Sequence, residues 1–121
     1  MKIFKIKKSV EFKKLQNISK KIHSKSFIFL YNLSIDKVNN DKNFAFCRYG
    51  ITISKKTCKL ATNRNLIKRR VNNIFMELCP KNIGKNYDFV IIAKQQIIEV
   101  KFNELYDEFK IIFNKFYEKK I

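Results

Sequence analysis

Apolar residues recur along the chain at two spacings, and the spacing separates helices from strands. Ser9 is a helix cap by residue type, and Val10, Phe12, Leu15 and Ile18 follow it near helical spacing. Phe27 to Leu33 is a strand by length and composition. Alternation puts Phe27, Phe29, Tyr31 and Leu33 on one of its faces and Ile28, Leu30 and Asn32 on the other. The polar stretch from Asp36 to Lys42 predicts a connecting turn. Phe44 to Ser54 predicts a second strand region, either one strand or two bent near Gly50. Thr62 or Asn63 then starts a helix that runs to about Leu78 and stops before Pro80.

Gly84 and Asn86 mark a turn, and Tyr87 to Ala93 is a continuous apolar strand of the kind buried on both faces. The last helix spans about Phe102 to Tyr117, with Phe102, Leu105, Phe109, Ile112, Phe113 and Phe116 as its apolar stripe. The predicted order is α-β-β(β)-α-β-α, an α+β sandwich of helices on one mixed sheet. At 121 residues the chain suits a single domain over residues 1–121.

Charge changes the picture. The chain carries 27 Lys and Arg against 10 Asp and Glu, a formal net charge of +17. Such a charge repels itself, and a polyanionic partner relieves it. Nucleic acid is the first candidate and an anionic membrane surface the second. Lys, Asn, Ile and Phe crowd the sequence, all encoded by A/T-rich codons, so codon drift supplies part of the lysine excess. Drift does not choose positions, however. Nine basic residues and no acidic one lie between Asp41 and Glu77.

Within that gap, Ser54-Lys55-Lys56 follows a predicted strand and leads to the helix containing Arg64, Asn65, Lys68 and Arg69. At ~100° per residue, Arg64, Lys68, Asn72, Asn65 and Arg69 share one arc, and Ile67, Val71, Ile74, Phe75 and Leu78 share its neighbour. The helix therefore docks on a sheet by one stripe and offers guanidinium, ammonium and amide groups from the other. Those groups suit phosphates and sugar hydroxyls. An ordinary solvated helix face mixes charge signs to gain i,i+4 pairs, and this one does not. A membrane-surface role fits less well, because the core needs the apolar stripe.

Other classes find little support. Cys47, Cys58 and Cys79 have no CxxC spacing and only one His beside them, which disfavours a zinc site or disulfide framework and suits a reducing cytoplasm. His23, Asp36 and Asp41 read as surface residues, and no acid cluster or nucleophile-base pair suggests a protein-borne active site. No apolar run of signal-peptide or membrane-span length occurs, so the expectation is a cytoplasmic protein without a membrane partner.

With these residues in hand, the chain resembles the protein component of bacterial ribonuclease P. Arg48-Tyr49-Gly50-Ile51-Thr52-Ile53-Ser54-Lys55-Lys56 is similar to that family's Arg-x-Gly-apolar-x-apolar-Ser-Lys-Lys strand. Arg64, Asn65, Ile67, Lys68, Arg69 and Phe75 stand in register with its helix signature. Asp88 to Ala93 and the amphipathic last helix extend the likeness over nearly the whole chain. Leu66 departs from it where a third basic residue is usual, and Asn72 and Asn73 stand where an Arg and an acid are expected.

The resemblance implies an αβββαβα sandwich with a mixed four-stranded sheet and a left-handed βαβ crossover, like domain 2 of ribosomal protein S5. It implies a catalytic RNA subunit, with Mg²⁺ bound mainly by that RNA, hydrolysing the 5′ leader from precursor tRNA. The protein then has no catalytic residue, metal ligand or small-molecule cofactor of its own. Lys55, Lys56, Arg64, Asn65, Lys68 and Arg69 would bind the RNA subunit. Phe12, Tyr31 and Arg48 would hold the leader, aromatics being apt because bases stack on them without sequence demand. The competing reading is a ribosomal-protein-like RNA scaffold with no part in tRNA processing. A DNA-binding regulator lacks the helix-turn-helix pair it would need.

Overall fold

The computed structural model describes residues 2–6, 9–33, 46–79 and 86–119. Its elements are β1 (Lys2–Lys5), α1 (Ser9–Ile18), β2 (Lys20–His23), β3 (Phe27–Leu33), β4 (Phe46–Thr52), α2 (Ala61–Leu78), β5 (Tyr87–Ala93) and α3 (Phe102–Lys119), with a 3₁₀ turn at Gln95–Ile98. The α+β class with three helices on a mixed sheet is as expected. The sheet has five strands in the order β1-β4-β5-β3-β2. The four strands implied by the resemblance are β2 to β5, and β1 is an addition, pairing parallel to the edge of β4.

Both strands that sequence patterning missed are short. In β2 only Ile22 points inward, so its four residues carry no alternation to read. Phe46–Thr52 is one strand rather than two. The predicted turns at Asp36–Lys42 and Gly84 lie outside the described residues.

Strand alternation divides the core into two layers. Phe27, Phe29, Tyr31, Tyr49, Phe89 and Ile91 face α2 and α3. Leu30 and Val90 face α1, where Leu15 packs, with Phe12, Ile28 and Ile92 around them. Complete burial of a Phe contributes about 1.5–3 kcal/mol, so the fully buried Phe27, Phe29, Phe75, Phe89, Phe109 and Phe116 dominate the larger layer. Phe27 stacks on Phe109 at 4.3 Å between centroids, and Phe116 meets Phe29, Tyr31, Tyr87 and Phe89 edge-on. Of the predicted α3 stripe all but Phe102 are buried; at the first position of the helix, Phe102 stays 39% exposed.

Polar contacts fix what the apolar layers leave free. Glu108 of α3 accepts hydrogen bonds from Ser24 Oγ at 2.6 Å, Ser26 N at 2.9 Å and Ser26 Oγ at 2.7 Å. That pins the β2–β3 turn to α3. Cys47, Cys58 and Cys79 are buried free thiols, with Cys47 and Cys79 in S–H···S contact at 3.3 Å. That contact and burial push the Cys47 thiol's pKa well above the usual range, the opposite of an activated nucleophile.

Candidate nucleic-acid interface

The Ser-Lys-Lys segment is a built turn. Ser54 Oγ accepts from Thr57 N at 3.0 Å and bonds Thr57 Oγ1 at 2.9 Å, while Ser54 O accepts from Thr57 N and Cys58 N. The serine closes the turn on itself, and Lys55 and Lys56 are left exposed on its outside.

From there the chain enters α2 one or two residues earlier than expected. Leu60 is the N-cap and makes no side-chain capping bond, so neither Thr62 nor Asn63 caps the helix. Arg64, inside the first turn, braces the approach without capping the helix N–H groups. Its Nη1 donates to Cys58 O at 2.8 Å and Lys59 O at 3.0 Å, tying the approach loop to the helix. Ile67, Val71, Ile74 and Phe75 are buried against the sheet, as the helical wheel requires. Asn65, Lys68 and Arg69 are exposed, and Arg64 and Asn72 are half-buried. The docking stripe and the donor stripe are therefore both real features of α2.

Asn72 is not a free surface amide. Its Oδ1 accepts the hydroxyl of Tyr49, a β4 residue that stacks on Phe75 at 4.2 Å. With its oxygen occupied, the amide has its NH₂ left to donate. Burial pushes the Tyr49 phenol up to about 12.

On the opposite face of the sheet, α1 is fastened by charge. Arg48 donates Nε to Asp88 Oδ1 and Nη2 to Asp88 Oδ2, both at 2.9 Å, and Nη1 to Glu11 Oε2 on α1. Arg48 is 6% exposed and Asp88 fully buried. Hydrogen bonding to Asp88, with a further contribution from Glu11, holds the guanidinium pKa above its ordinary value. The fork geometry and the two carboxylates commit this cation inside the protein.

The three residues expected to hold a leader are thus not brought together. Phe12 is half-buried on α1, its ring against Gly50. Arg48 lies on that same face, with its guanidinium bonded to Asp88 and Glu11. Tyr31 has the parity of Phe27 and Phe29, so it points into the α2–α3 core, 4% exposed beside Phe116. The β3 residues that do face α1 are Ile28 and Leu30, the pair that alternation had already assigned to the other face.

A pocket of about 280 Å³ joins the two sides, lined by Lys5, Ile6, Phe12, Tyr49, Gly50, Ile51, Lys68 and Asn72. It connects α1 to the basic stripe of α2 around the edge of β4. Its Lys5 and Asn72 were missed as a pair, because their proximity depends on β1 pairing with β4, which no local pattern signals.

Among the described residues no group of three or more His, Cys, Asp or Glu side chains could hold a metal ion, and no helix is long and apolar enough to cross a membrane. An α+β sandwich that turns an acid-free row of cations and amides outward from one helix defines a nucleic-acid-binding protein. A family model, Ribonuclease P, matches residues 2–117. The chain belongs to the ribonuclease P protein family, and so is a subunit of a tRNA-processing endoribonuclease. It is 30% identical over 120 residues to the ribonuclease P protein component of Rickettsia bellii, covering 99% of each chain. Among solved structures it is similar to the Staphylococcus aureus RNase P protein, at TM-score 0.67 and 26% identity, covering 90% of this chain and 94% of that one. The Thermotoga maritima RNase P protein matches in fold at TM-score 0.68 and 23% identity, over 89% of this chain and 93% of that one.

Proposed function

We propose that this subunit docks the donor stripe of α2 on the catalytic RNA of ribonuclease P and guides the 5′ leader of precursor tRNA along the α1 face of its sheet. The observation that carries this reading is the shared pocket, which Phe12 of α1 and Lys68 of α2 both line. One continuous surface then offers cations to an RNA backbone and an aromatic ring to an unpaired base. Lys55, Lys56, Arg64, Asn65, Lys68 and Arg69 make the RNA-subunit contacts. Phe12 stays a leader contact. Arg48 acts through Glu11 by holding α1 in place, and Tyr31 is a core residue.

The protein supplies no catalytic group. Mg²⁺, when bound, would supply stabilisation of charge in hydrolysis of the leader phosphodiester, and no side-chain cluster among the described residues fits it. Glu11 and Asp88, the acids beside the cleft, are occupied by Arg48. We therefore assign the metal to the RNA subunit. The competing reading, a structural RNA-binding protein outside tRNA processing, has no specific observation in its favour.

Reconstitution tests the proposal. Purified protein added to the RNA subunit should accelerate leader removal at low Mg²⁺ and do nothing without the RNA. Absence of stimulation, or cleavage by the protein alone, would overturn it.

A further inference from the structure

The pocket at the edge of β4 has a wall that the basic helix does not explain. β1 pairs with β4 from Lys2↔Phe46 to Lys5↔Tyr49, and Ile6 N extends the ladder by donating to Tyr49 O at 2.8 Å. Where the pairing ends, the exposed Lys5 enters the lining of the pocket, as Lys68 does from α2. Two cations from elements far apart in sequence thus converge on one cavity. The ring of Phe12 and the amide of Asn72, whose oxygen is already held by Tyr49, share the lining with them.

Size and chemistry select the occupant. About 280 Å³ is the share of roughly nine waters, room for a nucleotide unit and far too little for a duplex. Two lysines on one lining suit a phosphate, an aromatic ring suits a base face, and an amide NH₂ suits a base or sugar acceptor. Carboxylate competition is low, because Glu11, the acid adjacent to Phe12, is bonded to Arg48.

Resting on the reading of α2 as an RNA-binding face, we propose that this pocket holds one single-stranded nucleotide and that Lys5 of β1 binds its phosphate together with Lys68. β1 is then a binding element, and Lys5 provides positive charge beside the position where Asn72 replaces the basic residue expected from the family signature. The nucleotide comes either from the precursor's leader or from an unpaired segment of the RNA subunit.

The test uses the reconstituted holoenzyme with Lys5→Gln, Lys5→Arg and, on the far edge of the sheet, Lys20→Gln. Affinity is measured for the RNA subunit alone, for leader-bearing precursor and for mature tRNA, each across a salt series. Lys5→Gln should weaken binding about five- to tenfold and flatten the log–log salt slope by roughly 0.7, with Lys5→Arg restoring both. Loss confined to leader-bearing precursor assigns the nucleotide to the leader, and loss in RNA-subunit binding assigns it to that RNA. Lys5→Gln indistinguishable from wild type, or Lys20→Gln losing as much, would overturn the proposal while wild-type stimulation of leader removal still stood. A photo-crosslinker on Lys5→Cys gives a second readout, independent of affinity. Attachment to unpaired nucleotides supports the pocket, and attachment only to helical RNA overturns it.

Discussion

The ring of Phe12 lies directly over Gly50: a Cβ placed on that glycine would come within 2.3 Å of Phe12 Cζ and 2.5 Å of Cε1. Gly50 therefore serves a close approach between α1 and β4, and its lack of a side chain is what lets the aromatic ring sit at the pocket. The two nearest atoms that an added methyl would meet are the far end of a half-buried ring, which can swing aside, and the third is Ile6 Cβ at 3.3 Å. Gly50→Ala should accordingly cost about 1 kcal/mol, the low end of the overpacking range, by urea denaturation. The same variant should displace Phe12 and lower affinity for leader-bearing precursor more than for mature tRNA. In a double-mutant cycle with Phe12→Ala the two effects on binding should be strongly non-additive. Additive effects would show that Gly50 acts elsewhere.

Arg48 and Asp88 make a different kind of link, between adjacent strands at a register pair and through Glu11 to α1. Removing one member of a buried ion pair leaves the other charge desolvated, at about 3–5 kcal/mol. Asp88→Ala should therefore fall in that range by denaturant titration. Glu11→Gln, at the half-buried end of the network, should cost less but loosen α1, seen as faster amide exchange in that helix with the α2 amides unchanged. Equal protection in both helices would deny Arg48 its positioning role.

How much of this was legible beforehand depends on range. The bounds of β3 and β5, the two stripes of α2 and the core stripe of α3 follow from local periodicity, and they stand in the structure apart from the exposed Phe102. Tyr31 shows where local information ends. Alternation grouped it with Phe27 and Phe29 while the family resemblance made it a leader contact; the regular strand keeps that parity and puts Tyr31 in the α2–α3 core. Arg48 was recognised by its signature position but not as a clamp, since Asp88 and Glu11 reach it only through β4–β5 pairing and α1 docking. β1 and the Lys5–Lys68 pocket rest on parallel pairing between segments some forty residues apart, which a four-residue basic strand does not announce.

Tyr49 predicts an alkaline limit to stability. Burial raises its phenol from 10.0 to about 12, and burial also raises those of Tyr31 and Tyr87. For a phenol the neutral form is the one the fold favours, so between those pH values the folded state binds more protons than the unfolded chain. The contribution is then fully present below pH 10.0 and is lost as pH rises toward 12. Urea midpoints measured across that interval should fall, and Tyr49→Phe should flatten the fall while losing the bond to Asn72. A midpoint independent of pH there would contradict the burial of these phenols.

Arg64 and Lys68 sit one turn apart on the same stripe, yet the structure separates what they do. Arg64 spends Nη1 on Cys58 O and Lys59 O and is half-buried, whereas Lys68 is exposed. Arg64→Ala should thus lose stability, about 1 kcal/mol for backbone acceptors deprived of a donor, as well as affinity for the RNA subunit. Lys68→Ala should leave the melting temperature in place and lower affinity alone, reducing the magnitude of the salt slope by about one ion. Arg64→Lys keeps the charge but not the planar guanidinium that aims Nη1 at both carbonyls, so it should recover the salt slope with only part of the loop bonding. Thermal melts and salt titrations on the three variants separate the roles. Should Arg64→Ala and Lys68→Ala behave alike in both measurements, the loop contacts of Arg64 contribute nothing, and the two residues are interchangeable cations on one RNA-facing stripe.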